Sequence, residues 1–91
     1  MTLDVQREHR EVDDRVAGSV RVGAGGSLTL HGTITGDLLV EAGGVANVFG
    51  SVLGDVVNNG GELAIFGVVF GVVRTIRGKT TVDPRAEVQR S

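Results

Sequence analysis

From Ser19 to Val73 the chain alternates aliphatic and non-aliphatic residues in short runs, and glycine interrupts each run before it grows long. A period of two puts the aliphatic side chains on one face of an extended strand, whereas a helix would need them three and four positions apart. The runs are too short for helices and are punctuated by glycine. The pattern predicts brief strands joined by tight corners.

The runs also recur. With the glycines in register, the units are GSVRVGAGGSLTLHGTIT from Gly18, GDLLVEAGGVANVFGSVL from Gly36, GDVVNNGGELAIFGVVF from Gly54 and GVVRTIRGKTTVDPRAEV from Gly71, so the starts are 18, 18 and 17 residues apart. The doublets Gly25-Gly26, Gly43-Gly44 and Gly60-Gly61 keep this phase, as do Gly32, Gly50 and Gly67. The one-residue contraction falls at VVNN, between Gly54 and Gly60, and the fourth unit keeps only Gly78 of the doublet. Four aliphatic columns run through the units: Val20, Leu38, Val56 and Val73; Leu28, Ala46 and Leu63; Leu30, Val48 and Ile65; Ile34, Val52 and Val69. A repeat of this length divided into three strands makes one turn about an axis, with equivalent strands stacked in parallel about 4.8 Å apart. The expected fold is all-β: a single-domain parallel β-helix of about four coils over residues 12–88, with the right-handed sense that parallel crossovers favour.

Projected backwards, the period places Val12 in the Leu30 column and Val16 in the Ile34 column, with Asp14 where a glycine would fall. Residues 1–11 contain no further match and are expected to be a charged N-terminal tail, with a short strand or capping segment as the alternative. At the other end Val82 aligns with Ile65, Ala86 and Val88 supply a last half-coil, and residues 89–91 form a short C-terminal tail. Neither end offers an amphipathic capping helix. An uncapped solenoid exposes unpaired strand edges and a cross-section of its core, both of which favour stacking on another molecule. Val12, Val16, Val82, Ala86 and Val88 are therefore the expected end-to-end interface.

The same alternation turns outward Phe49, Phe66 and Phe70, which are all the aromatic residues of the chain, together with Leu39, Leu53, Val57 and Val68. The preceding unit has His31, Thr33, Thr35 and Arg21 at the corresponding places. An outward apolar patch that grows along the axis points to contact with another protein or a membrane surface, the alternative being partial cover by the termini folding back. These seven residues are the expected lateral or partner interface.

Composition narrows the chemistry. Ninety-one residues suit one domain, and 15 glycines with 41% hydrophobic but 3% aromatic residues are a strand-and-turn vocabulary. Nine basic against 11 acidic side chains give a formal charge of −2, so there is no basic field to attract nucleic acid. The absence of cysteine excludes disulfides and thiolate metal sites. His9 and His31 stand alone, without a cluster at metal-ligand spacing. His31 shares a column with Phe49 and Phe66, which points to a structural surface role. The alternative, a histidine of the hexapeptide acyltransferase type, needs a longer coil stack, a trimer cleft and a clean hexapeptide pattern. Asp37 and Asp55 share a column and are expected to solvate a corner or to bind backbone amides there. GAGG at Gly23–Gly26 lacks the Lys-Ser/Thr ending and following helix of a phosphate loop. No catalytic residue, metal, cofactor or small-molecule substrate is expected. The charged N-terminus lacks the apolar run of a secretory signal, and no segment approaches the ~18 apolar residues of a membrane span. A cytoplasmic protein follows, membrane-associated if the outward patch docks on lipid.

Units such as HGTITGDLLVEAGG and FGSVLGDVVNNGG place a glycine, a short valine-rich strand and a Gly-Asp corner before another strand and a glycine doublet. In this the chain resembles the bactofilins, a bacterial family of polymer-forming cytoskeletal proteins, over about residues 12–88. The resemblance implies a parallel β-helix flanked by short irregular tails, which assembles end to end without nucleotide into nonpolar filaments that serve as scaffolds, sometimes at membranes. The chain departs from the family in having fewer coils and in its outward aromatics. The leading expectation is a non-enzymatic protein that self-assembles through its coil ends into filaments or oligomers. The alternative is a small β-helical binding module that docks a protein or membrane partner through its outward apolar face.

Overall fold

The computed structural model describes residues 2–90; Met1 and Ser91, the extremities of the two expected tails, lie outside the described residues. Each turn of the chain lays down one strand on each of three sides. The first side carries β1 (Thr2–Val5), β4 (Ser19–Val22), β7 (Leu38–Glu41), the start of β10 (Val56–Ile65) and the middle of β11 (Val68–Val82). The second carries β2 (His9–Val12), β5 (Ser27–Leu30), β8 (Val45–Val48) and the ends of β10 and β11. On the third lie β3 (Arg15–Val16), β6 (Thr33–Ile34), β9 (Ser51–Val52), the start of β11, and the start of β12 (Glu87–Arg90), whose end passes onto the first side beside Val72 and Val73. All of these pairings are parallel. The protein is a parallel β-helix of about five turns.

Register follows the sequence columns. Val20 lies opposite Leu38 and Leu38 opposite Val56; Leu30, Val48 and Ile65 are in line, as are Ile34, Val52 and Val69. Of the aliphatic columns, every member is buried except Val73, which sits in the last turn and is only partly covered. A further inward column, Val5, Val22, Val40 and Asn58, completes the core.

The expected N-terminal tail is a correction. Residues 2–12 make a first turn: Thr2–Val5 pairs with Ser19–Val22, His9–Val12 pairs with Ser27–Leu30, and Val5 is fully buried below Val22. This turn lacks the usual punctuation. At its first corner Arg7, with φ 56°, adopts the left-handed conformation that Gly25, Gly43, Gly60 and Gly78 supply in later turns. That conformation costs a side-chain-bearing residue about 1 kcal/mol or more. The Arg7 N–H donates to the Ala24 carbonyl at 3.2 Å, which ties the corner to the turn above. The C-terminal tail is corrected likewise, because Gln89 and Arg90 belong to β12 and pair with Val72 and Val73.

At the corner between the second and third sides, successive turns approach too closely for any side chain. A Cβ on Gly50 would run into the Gly32 carbonyl oxygen, and one on Gly67 into that of Gly50. The glycine column is therefore a packing requirement.

The contraction at VVNN has its own device. In the longer turns the corner after the first side is closed by a backbone hydrogen bond, from Gly26 N–H to Gly23 C=O at 3.0 Å and from Gly44 N–H to Glu41 C=O at 2.9 Å. In the contracted turn Asn59 and Gly60 both fall opposite Glu41, and the Gly61 N–H donates instead to the Asn58 side-chain Oδ1 at 2.9 Å. The Asn58 Nδ2 donates to the carbonyls of Gly61 (3.1 Å) and Lys79 (2.9 Å) and to Thr80 Oγ1 (3.0 Å). Asn58 is the one buried polar side chain among the described residues, and its side chain is satisfied by these bonds. Thr75 Oγ1 donates to Thr80 Oγ1 at 2.6 Å and extends the polar cluster into the last turn. There Ile76 is left unpaired between Thr75 and Arg77, and its side chain is exposed.

Candidate functional site

Two kinds of surface stand out: a strip along the third side and the two rims. At the corner leading into the third side, Phe49, Phe66 and His31 form a ladder because their backbones repeat once per turn. Each N–H donates to the turn before it: His31 to Val12, Phe49 to Leu30 and Phe66 to Val48. The rings stack nearly parallel, His31 to Phe49 at 5.2 Å and 10°, Phe49 to Phe66 at 4.9 Å and 8°. These spacings are close to the roughly 4.8 Å between rungs, so the β-helix itself sets the ring stack. Thr33, Ser51 and Val68 follow in the middle of the side, each in register with the next. Thr35, Leu53 and Phe70 follow at the corner beyond, with Leu53 42% and Phe70 60% exposed. From one turn to the next the three positions read His31-Thr33-Thr35, Phe49-Ser51-Leu53 and Phe66-Val68-Phe70, so the strip becomes steadily more apolar toward the C-terminal end.

The seven residues expected to share one outward surface do not. Leu39 and Val57 are only partly exposed and lie on the first side, in a column that runs from Arg21 through Leu39 and Val57 to Arg74. The corner bearing Asp37 and Asp55 separates them from Leu53 and Phe70. Alternation distinguishes inward from outward, but with three sides it does not say which outward residues are neighbours.

That corner has a structural task. The Asp55 N–H donates to Asp37 Oδ1 at 2.8 Å and the Val72 N–H to Asp55 Oδ1 at 2.8 Å, while the Asp37 N–H donates to Ser19 Oγ at 3.1 Å. Each carboxylate occupies the space that a side chain on Gly54 or Gly71 would need, so the glycine and the aspartate of the Gly-Asp corner act as one unit. The carboxylates bind backbone amides, as expected of them, and do not face each other as an acid–base pair. Nearby, Arg21 Nε lies 2.6 Å from Glu41 Oε1 on the exposed surface. The hydrogen bond to Glu41, and then its negative charge, hold the guanidinium pKa above its ordinary value. Among the described residues no group of three or more His, Cys, Asp or Glu is placed to hold a metal, and no helix is long and apolar enough to cross a membrane.

The rims comprise the first and last turns. Val12 lies opposite Leu30 and Val16 opposite Ile34, and with Leu3 they form the apolar part of the first rim. Val82, Ala86 and Val88, with Val73, form that of the last. All seven are partly buried and packed on the core, whereas Leu30, Ile34 and Ile65, one turn further in, are completely buried. Leu3 was hidden in a charged segment; its alternation with Val5, in phase with Val20 and Val22, is the signal that would have found it. The second-side column of Leu28, Ala46 and Leu63 ends in Arg10 at the first rim and Thr80 at the last.

Compared with protein-family models, curated proteins and solved structures, the chain matches none.

Proposed function

We propose that this chain is a non-enzymatic structural protein that self-assembles through the ends of its β-helix into filaments or oligomers acting as a scaffold. The observation that carries the reading is the pair of open rims. β1, β2 and β3 each pair along one edge only, no helix lies over either end among the described residues, and the aliphatics of both end turns other than the fully buried Val5 are incompletely covered. Stacking a second copy would pair those edges and bury Leu3, Val12, Val16, Val82 and Val88. The likeness of the Gly-Asp units to bactofilins supports the same reading. The test is sedimentation at rising protein concentration, with electron microscopy of the same samples. Growth beyond a 9.4 kDa particle into elongated species supports the proposal, and a strictly monomeric protein at millimolar concentration overturns it.

A second reading, a binding module, is favoured by the strip, where Phe70 is 60% exposed beside Leu53 and Val68. Its partner would be a protein or a membrane surface in the cytoplasm. Liposome co-sedimentation with the parent chain and with Phe70→Asp separates it from self-assembly: binding lost in the variant supports docking, and equal recovery of both proteins argues against it.

A further inference from the structure

Resting on the end-stacking reading, we infer that copies of the chain join head to tail, the last turn of one against the first turn of the next, so that the stack is polar. Two features of the rims point the same way. The first is charge. The first turn, residues 2–17, carries five carboxylates against Arg7, Arg10 and Arg15, a net −2. The last turn, residues 71–88, carries Arg74, Arg77, Lys79 and Arg85 against Asp83 and Glu87, a net +2. Joining first turn to first turn, or last to last, brings like charges within about one rung spacing, well inside the ~8 Å over which salt leaves them unscreened. Only the head-to-tail junction joins opposite charges.

The second feature is the way the inward ladder ends. In its second-side column the core closes with Arg10 at the first rim and Thr80 at the last, where Thr80, Thr75 and Asn58 already form a hydroxyl and amide cluster. A first-to-first junction would bury two Arg10 guanidinium groups near one another. The head-to-tail junction places Arg10 over this polar cluster, in which the Thr75 hydroxyl oxygen is still free to accept an N–H group. Continuing the columns, Val12 of the incoming copy falls over Val82 and Arg15 over Glu87, extending the apolar ladder and forming an ion pair. The adverse contact in this register is Asp13 over Asp83. Thr2–Leu3 and Gln89–Arg90 fall in the same rung, so one chain end gives way at the junction. A head-to-tail contact does not close on itself, and it yields open-ended stacks. The bactofilin resemblance implies a nonpolar filament, so this inference separates the chain from that expectation.

The chain has no cysteine, which makes disulfide trapping clean. Val12→Cys and Val82→Cys are prepared as separate proteins, checked for strand signal by circular dichroism, and oxidised alone and as an equal mixture. The rung spacing of about 4.8 Å lies within the Cα separation that a disulfide spans. The expected result is a mixed disulfide dimer in at least about tenfold excess over either self-pair, because only one rim combination is charge-matched. Predominant self-pairs overturn the polarity while leaving end stacking intact. Growth by sedimentation with no disulfide in any combination overturns the proposed register. Absence of both growth and disulfide overturns end stacking itself. If either valine variant fails to fold, Arg15→Cys with Glu87→Cys, both at exposed positions, gives the same comparison.

Discussion

Replacing Asn58 with valine tests the account of the contracted turn by the sign of its effect. Val5, Val22 and Val40 occupy the same inward column, so Asn58→Val would continue an aliphatic ladder. If Asn58 were a tolerated misfit, the added burial should stabilise the protein by about 1.5 kcal/mol. The structure instead gives the amide four polar partners, three sharing the two N–H groups of Nδ2 and the fourth the buried Gly61 N–H, which in longer turns donates to a backbone carbonyl. Leaving that N–H and its carbonyl partners unsatisfied costs about 2–4 kcal/mol. The net expectation is a loss of about 0.5–2.5 kcal/mol. With a urea m-value near 1 kcal/mol/M for a chain of this size, the unfolding midpoint should fall by about 0.5–2.5 M at unchanged slope. Circular dichroism in the strand region provides the assay. A valine variant as stable as the parent, or more so, would refute the argument that the side chain closes the corner.

Other substitutions probe the remaining claims. Val48→Asp puts an unpaired carboxylate between Leu30 and Ile65 at a fully buried position; the cost, upwards of about 5 kcal/mol, exceeds the margin of a small domain and should abolish the strand signal. Phe66→Asp should fold, losing about 1 kcal/mol with its stack on Phe49, as read from the same urea titration. Arg7→Gly should raise stability by about 0.5–1 kcal/mol by relieving the left-handed arginine, whereas Gly43→Ala, at φ 82°, should lower it by about 1 kcal/mol. Equal midpoints for Arg7→Gly and the parent would count against a strained first corner.

The sequence made the middle turns legible because two independent signals agreed there. Glycine columns marked the corners, and the alternation of residues such as Leu38, Val40, Ala46 and Val48 marked the inward face. The first turn escaped because its corners are not written in glycine: Arg7 takes the left-handed position by straining its backbone, and Asp14 stands where Gly32 and Gly50 stand later. What remained visible was charge, which resembles a solvated arm. Asn58 stands out in the sequence only as part of a length change. Its phase with Val22 and Val40 marks it as inward, but its bond to Gly61 needs three-dimensional knowledge of which backbone donor the missing residue had left over. The outer strip was half legible for a similar reason. Alternation marks Phe49, Phe66 and Phe70 as outward, and they are exposed, but it groups Leu39 and Val57 with them because a period of two carries no information about which of three sides a residue faces.

Diffraction from oriented assemblies of the purified chain tests the central claim most directly, because it reads the rungs and their joining together. The account predicts a strong reflection at about 4.8 Å along the long axis, with a longer axial repeat near 24 Å, five rungs to a copy. A 4.8 Å spacing across the axis, or particles no longer than the 29 Å of a single chain, would contradict it.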